Sequence, residues 1–185
     1  MSRTLTETES WTTLKTSPPQ QVGFGAAYHL LGDNLVVESD VRWLNWSNAN
    51  GYEDLDFENQ WVFALGLQYK PISKLVLRAG YNYGNSPLDD HNGFIGTGLS
   101  NIQGHRLPTY YYETYRTIGF AAIPKYQATF GVGYEFSPHL AVNIGYEHSF
   151  ENTLKATGTD LTGQPVTLEN NLSGNTFDTG IIFRF

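Results

Sequence analysis

Period-two alternation runs through most of this chain, in segments of about eight to twelve residues, the pattern of strands with two unlike faces. In LAVNIGYEHSF one face carries Leu140, Val142, Ile144, Tyr146, His148 and Phe150, and the other carries Ala141, Asn143, Gly145, Glu147 and Ser149. YQATFGVGYEF repeats the rule, setting Phe130, Val132, Tyr134 and Phe136 against Thr129, Gly131, Gly133 and Glu135. So do VGFGAAYHL, LVVESDVRW, QWVFALGLQYK, LVLRAGYNYG and the terminal FDTGIIFRF, which makes seven expected strands. Helical periodicity is nearly absent.

The connections sort into two kinds. LGDN, KPISK and SPH are tight turns in which Gly, Pro, Asn and Asp supply the backbone angles. Longer polar links are expected at residues 47–59, 85 to about 124, and 152 to about 167. Short turns on one side and long loops on the other describe an up-and-down antiparallel meander, and hairpin connectivity excludes a parallel α/β sheet. Residues 3–16, RTLTETESWTTLKT, are either an eighth strand or a loop-side extension of the first, interrupted at Pro18 and Pro19. Neither a charge shift nor a low-complexity linker divides the 185 residues, so the expectation is a single domain over 1–185.

Charge and composition remove several function classes. Eleven Lys+Arg against 18 Asp+Glu give a net charge of -7, which argues against a nucleic-acid surface. Without cysteine there is no disulfide, thiolate nucleophile or zinc–thiolate site. No stretch approaches the ~18 consecutive apolar residues of a membrane helix. The first 21 residues also lack the apolar core of a signal peptide, so an exported protein would here be mature or truncated sequence.

Alternation alone leaves open whether the apolar face is buried, as in a soluble sandwich or barrel, or turned to lipid. Three features favour lipid and an all-β transmembrane barrel of about seven to eight strands. The polar face is rich in Gly, Ala, Asn and Gln with isolated charges, while the apolar face is bulky with Trp or Tyr near strand ends, as in interfacial girdles. The asymmetry of turns and loops is the second. The third is the C-terminus, where Phe177, Ile181, Phe183 and Phe185 resemble the assembly signal of bacterial outer-membrane barrels.

The pieces WLNWS, QWVFALGLQYK, LRAGYNYGNSPL, AIPKYQATFGVGYEF, LAVNIGYEHSF and GIIFRF, in this order, resemble the C-terminal half of FadL-type outer-membrane transporters, over roughly residues 18–185. The resemblance implies a bacterial outer-membrane, multi-pass location and half of a fourteen-stranded monomeric barrel, plugged in the family by an N-terminal hatch. It implies diffusive uptake of long-chain fatty acids or aromatic hydrocarbons through binding pockets and a lateral opening. As partners it implies outer-membrane lipid, hydrophobic small molecules and the barrel-assembly machinery, with no nucleic acid. It favours the extension reading of residues 3–16, and with no hatch and about half the strands it makes a partial gene product the expectation. The family's pockets, built largely from the other half, transfer to no residue of this chain.

Within the chain, Glu38, Asp40, Arg42 and Arg78 share the polar face and are lumenal ligand candidates, although a lumenal ion-pair ladder explains them better. Glu135, Glu147, Asp178 and Arg184 read the same way. Tyr110, Tyr111, Tyr112 and Tyr115, in the long loop, either greet a hydrophobic substrate or fold over the barrel mouth or the lipid interface. His29 and His139 lie at turns and His91 and His105 in the long loop, with no two at metal-ligand spacing. The expectation is therefore no catalytic, metal or cofactor residue and no enzyme. The alternatives to transport are a structural or adhesive barrel and, third, an outer-membrane enzyme.

Overall fold

The computed structural model describes residues 14–120 and 123–185. Seven long strands form one antiparallel meander: β1 Gln20–Leu30, β2 Leu35–Asn45, β3 Gln60–Ile72, β4 Leu75–Gly84, β8 Tyr126–Ser137, β9 Leu140–Thr159 and β10 Pro165–Phe183. The connection from β4 to β8 holds three short strands, β5 His91–Phe94, β6 Leu99–Ile102 and β7 His105–Pro108, and a helix, α1 Thr109–Thr114, which runs on as a π-turn over Tyr115–Gly119. The seven expected strands are all present. Residues 14–19 carry no regular structure and are tied to the loops by Ser17 N donating to the Asn50 carbonyl at 3.1 Å, while residues 3–13 lie outside the described residues.

The three short turns lie at one end. Residues 31–34 join β1 to β2 with Leu31, Gly32 and Asp33 all at positive φ, and two-residue turns join β3 to β4 and β8 to β9. At the other end, residues 46–59 hold two short 3₁₀ turns. Residues 152–167, expected as a loop, instead extend the hairpin: β9 pairs with β10 as far as Thr159↔Pro165. The reason is a bulge. Leu172 faces Asn152 but Gly174 faces Ser149, so β9 carries one extra residue there. A one-residue shift exchanges the two faces of a strand. Leu154 and Ala156 therefore continue the inward face begun by Glu147 and Ser149, and Thr153 and Lys155 point outward.

Burial is inverted relative to a water-soluble sheet. The bulky face of the meander is open, with Phe24 75% and Phe177 76% exposed and Leu65, Phe130, Ile144 and Ile181 all exposed. Cross-strand register keeps that face continuous, through Trp43↔Trp61, Phe63↔Tyr83, Ala79↔Phe130, Phe130↔Tyr146 and Phe177↔Tyr146. On β8 it runs from Tyr126 to Phe136. Ten positions span about 34 Å at ~3.4 Å each, or roughly 26 Å along the membrane normal at the ~40° tilt of such strands, close to the ~25 Å apolar band of an outer-membrane barrel. Beyond it on β9 and β10 the outward residues turn polar, with Thr153 opposite Asn171 and Lys155 paired with Glu169 at 3.0 Å.

The buried apolar core lies outside this band. Leu55, Phe57, Leu88, Ile102, Tyr112 and Leu154 cluster with Trp46, Tyr52, Leu107, Phe120 and Leu172 against the inward face of the extended β9–β10 hairpin. Leu154 and Ala156, 2% and 0% exposed, are its floor. β5 docks alongside in parallel with β9, His91 facing Ala156, where β8 no longer accompanies that strand. The result is a wall with a packed cap at its loop end. Among the described residues β1 and β10 have no partner on their outer edges, and both run from the loop end to the turn end, so these edges cannot pair antiparallel with each other.

Candidate functional site

The inward face of the wall is assembled row by row from the register. Glu38 lies between Ala27 and Gly66, Asp40 between Gly25 and Ala64, Arg42 between Gly23 and Val62, and Arg78 between Gln68 and Gly131. All four sequence candidates thus share the polar face. One open groove brings Glu38 and Asp40 together beside Gly80, Asn82 and Thr129, and another brings Glu38 together with Gln68 and Arg78. Arg42 lines neither groove.

The expected ion-pair ladder is not formed by these four residues among the described residues. Arg78 Nε donates to Gln68 Oε1 at 3.0 Å and Nη1 to Asn143 Oδ1 at 3.5 Å, so its partners are neutral amides. In the second set the pair Arg184–Glu135 does form, at 2.9 Å, near the turn end. A wall of small residues on which Arg78 is held by amides and no ion pair joins Glu38, Asp40, Arg42 and Arg78 is wettable and, among the described residues, holds no fixed counter-charge at its centre.

The cap disperses the four loop tyrosines. Tyr112 is buried in the core, whereas Tyr111 and Tyr115 are exposed, with the Tyr110 and Tyr111 rings 5.9 Å apart. Tyr115 meets Phe120 edge-on at 5.3 Å, and Phe120 in turn meets Phe57 at 5.4 Å and Tyr52 at 6.1 Å. Ile118 is exposed as well, so Tyr111, Tyr115 and Ile118 leave an apolar strip on the cap.

Beneath that strip lies a polar network that sequence reasoning missed. Tyr112 Oη donates to Asp56 Oδ2 at 2.7 Å, and burial, reinforced by Asp56, pushes the Tyr112 hydroxyl above the usual phenol range. His91 Nδ1 lies 3.0 Å from Oε1 of the buried Glu113, with its Nε2 3.9 Å from Asp56 Oδ2. Arg116, 0% exposed, donates from Nε to the Leu55 carbonyl at 3.1 Å and from Nη2 to the Asp89 carbonyl at 2.8 Å. The available signal was Tyr52, Leu55 and Phe57 interrupting an otherwise acidic loop, with Leu88 and Ile102 doing so in the next one. Among the described residues no three His, Asp or Glu side chains are grouped to hold a metal ion.

Comparison with known proteins matches residues 6–95 to the family model of the outer membrane protein transport protein, OMPP1/FadL/TodX. Outer membrane protein P1 of Haemophilus influenzae is 26% identical, the match covering 66% of this chain and 24% of that protein. A 47 kDa outer membrane protein of Pasteurella multocida is 21% identical, covering 86% of this chain and 33% of its own length. The chain thus spans about a quarter to a third of these relatives. Two solved structures share the fold. A Pseudomonas aeruginosa FadL homologue superposes with a TM-score of 0.55 at 19% identity, over 89% of this chain and 35% of that one. The Pseudomonas putida toluene transporter TodX gives 0.54 at 16% identity, over 90% and 35%. The fold is accordingly a segment of an antiparallel outer-membrane barrel, and the location is the outer membrane. Matched over residues 6–95 and sharing their fold, this chain is similar to the OMPP1/FadL/TodX outer membrane transport proteins.

Proposed function

We propose that this chain forms part of a passage through which hydrophobic small molecules, long-chain fatty acids or aromatic hydrocarbons, diffuse across the outer membrane without chemical conversion. The observation that carries this reading is the apolar cap on the inward side of the barrel mouth. It leaves Tyr111, Tyr115 and Ile118 open above a wall that, among the described residues, carries no fixed ion pair at its centre. An apolar solute released from the outer leaflet or from micelles gains a first contact on those rings, and the wall below offers no deep trap. The same reading makes membrane lipid the partner of the outward face and the assembly machinery the partner of the last strand. The match of residues 6–95 to a transport-protein family model supports it, and so does the fold shared with a toluene transporter.

The test is uptake of radiolabelled oleate and of toluene into proteoliposomes carrying the protein, beside protein-free vesicles. Saturable entry of either compound is expected. Binding without entry overturns the reading in favour of an adhesive barrel, and turnover of lipid or peptide overturns it in favour of an enzyme.

A further inference from the structure

Four polar side chains of the inward wall, Asp40, Arg42, Thr129 and Asn143, recline on the neighbouring strand, over glycines. A Cβ built on Gly25 would stand 1.9 Å from Asp40 Oδ1, and one on Gly23 would stand 2.9 Å from Arg42 Cγ. The same overlap recurs at Gly80 with Thr129 Oγ1, 2.5 Å, and at Gly133 with Asn143 Oδ1, 2.5 Å. These distances are below any real Cβ contact, so each side chain occupies the volume its glycine leaves vacant. Gly180, on the same face, has nothing within 4 Å of its Cβ position. Glycine on this face thus ranges from filled, through ordinary contact at Gly66, Gly131 and Gly145, to empty at Gly180.

We propose that Gly25 and Gly23 are positioning residues of the passage: they hold Asp40 and Arg42 flat against the wall and so set its free width and the depth at which these charges meet a solute. The inference rests on the transport reading above. In each case the overlapping atom belongs to a side chain, so a methyl at Gly25 is accommodated by rotating Asp40 about χ1 and not by moving backbone. Rotation takes the carboxylate off the β1 glycine and into the open groove in front of the wall that Asp40 shares with Glu38, Ala64 and Gly80. A carboxylate lifted there narrows the path and places a hydrated anion in front of an apolar solute or a fatty acid's own carboxylate.

Four forms are compared for oleate uptake in proteoliposomes: wild type, Gly25→Ala, Asp40→Ala, and the double variant. Gly25→Ala is expected to slow uptake about threefold or more, with Gly180→Ala at the wild-type rate. The double variant is expected to match Asp40→Ala. If Gly25→Ala slows uptake equally with and without the Asp40 carboxylate, or leaves it unchanged, the proposal is overturned. A second readout does not depend on transport: coupling of Asp40 to glycine ethyl ester by a water-soluble carbodiimide, followed by peptide mass spectrometry. It should rise several-fold in Gly25→Ala, and equal coupling overturns the proposal even where uptake is normal. Wild-type protein that carries no oleate yet shows the coupling difference overturns the transport reading and keeps the positioning. If Gly25→Ala does not fold, Gly23→Ala with and without Arg42→Ala supplies the same cycle.

Discussion

Tyr112 Oη donates to Asp56 Oδ2 at 2.7 Å, joining α1 to the connection between β2 and β3 across 56 residues of sequence. The ring is in the apolar core while Asp56 is largely solvent-accessible, so burial and the carboxylate both keep the phenol protonated. The folded cap therefore holds this proton at a pH where the unfolded chain, with a phenol near ~10, releases it. Stability from this group is complete below that value and falls as pH rises above it. Protection of the amides over residues 88–118, taken relative to the intrinsic exchange rate at each pH, is expected to fall above about pH 10, in parallel with unfolding-coupled tyrosinate absorbance. Tyr112→Phe should remove that alkaline dependence and lower cap stability by about 1.5–3 kcal/mol, the worth of a hydrogen bond to a charged group.

The docking of β5 on β9 depends on two glycines whose clashes would be with backbone. A Cβ on Gly158 would lie 2.2 Å from the Phe94 carbonyl oxygen, and one on Gly96 would lie 2.1 Å from that of Thr159. No side-chain rotation relieves either. Alanine at Gly158 or Gly96 is expected to separate β5 from β9 at a cost of about 1–3 kcal/mol, read as lost protection of the β5 amides with the seven-strand meander intact. Protection unchanged in both variants would contradict the parallel pairing.

The meander and its two faces were legible in the sequence because one physical constraint, lipid on one side and water on the other, acts on every second residue. β3 is the clearest instance, with Trp61, Phe63, Leu65, Leu67 and Tyr69 read as one face and found exposed together. What escaped reading lies where that constraint ends. In β9 the bulge after Ser149 exchanges the faces, and the outward residues become Thr153, Lys155 and Thr157, so a continuing strand resembles a polar loop. The cap escaped for a different reason. Leu55, Phe57, Leu88, Ile102 and Tyr112 are scattered over three irregular segments, and only tertiary contact gives them a common core. Asp56, His91 and Glu113 likewise meet through folding, with no spacing that marks them as partners.

The assignment of faces is tested by moving one charge across the wall. Leu65 sits midway along the exposed face of β3, while Asn82 faces inward and donates to Gln127 Oε1 at 3.1 Å. Leu65→Arg is expected to cost about 2–4 kcal/mol in refolding into lipid vesicles, the penalty for a cation on the lipid face near the midplane. Asn82→Arg loses one partly buried amide bond on the polar face and should stay within about 1.5 kcal/mol. The reverse order would place lipid on the polar face.

The tip of the β9–β10 hairpin carries its own acid switch. Asp160 accepts from Thr162 Oγ1 at 2.7 Å, from Thr162 N at 2.7 Å and from Gln164 N at 3.0 Å, and these bonds, the hydroxyl foremost, hold its carboxyl below the usual range. The contribution is present above the ordinary carboxylate value of ~3.9 and lost as pH falls through the lower folded value. Protection of the Thr162 and Gln164 amides, their exchange relative to the intrinsic rate at each pH, should fall in acid in the wild type and be low at every pH in Asp160→Ala. A flat wild-type profile would contradict the turn geometry.

The chain is fastened one residue past the end of β10. Arg184 N donates to the His139 carbonyl at 3.0 Å, His139 Nδ1 donates to the Arg184 carbonyl at 2.8 Å, and Arg184 Nη1 reaches Glu135 Oε1 at 2.9 Å. Phe185 lies past this clasp and is fully exposed, so its ring adds nothing to packing within the wall. Phe177, Ile181 and Phe183, by contrast, stand opposite Tyr146, Val142 and Leu140 on the lipid face. Phe185→Ala should therefore leave stability in preformed vesicles unchanged to about 0.5 kcal/mol, as for other exposed substitutions. If the terminal ring serves recognition by the assembly machinery, the same variant will accumulate more slowly in the outer membrane of growing cells while refolding normally from urea. Equal loss in both measurements would make Phe185 structural, and loss in neither would confine the signal to the three residues before it. Arg184→Ala supplies the contrast: it breaks the clasp to Glu135 while leaving the terminal ring in place, and is expected to lower stability in vesicles first.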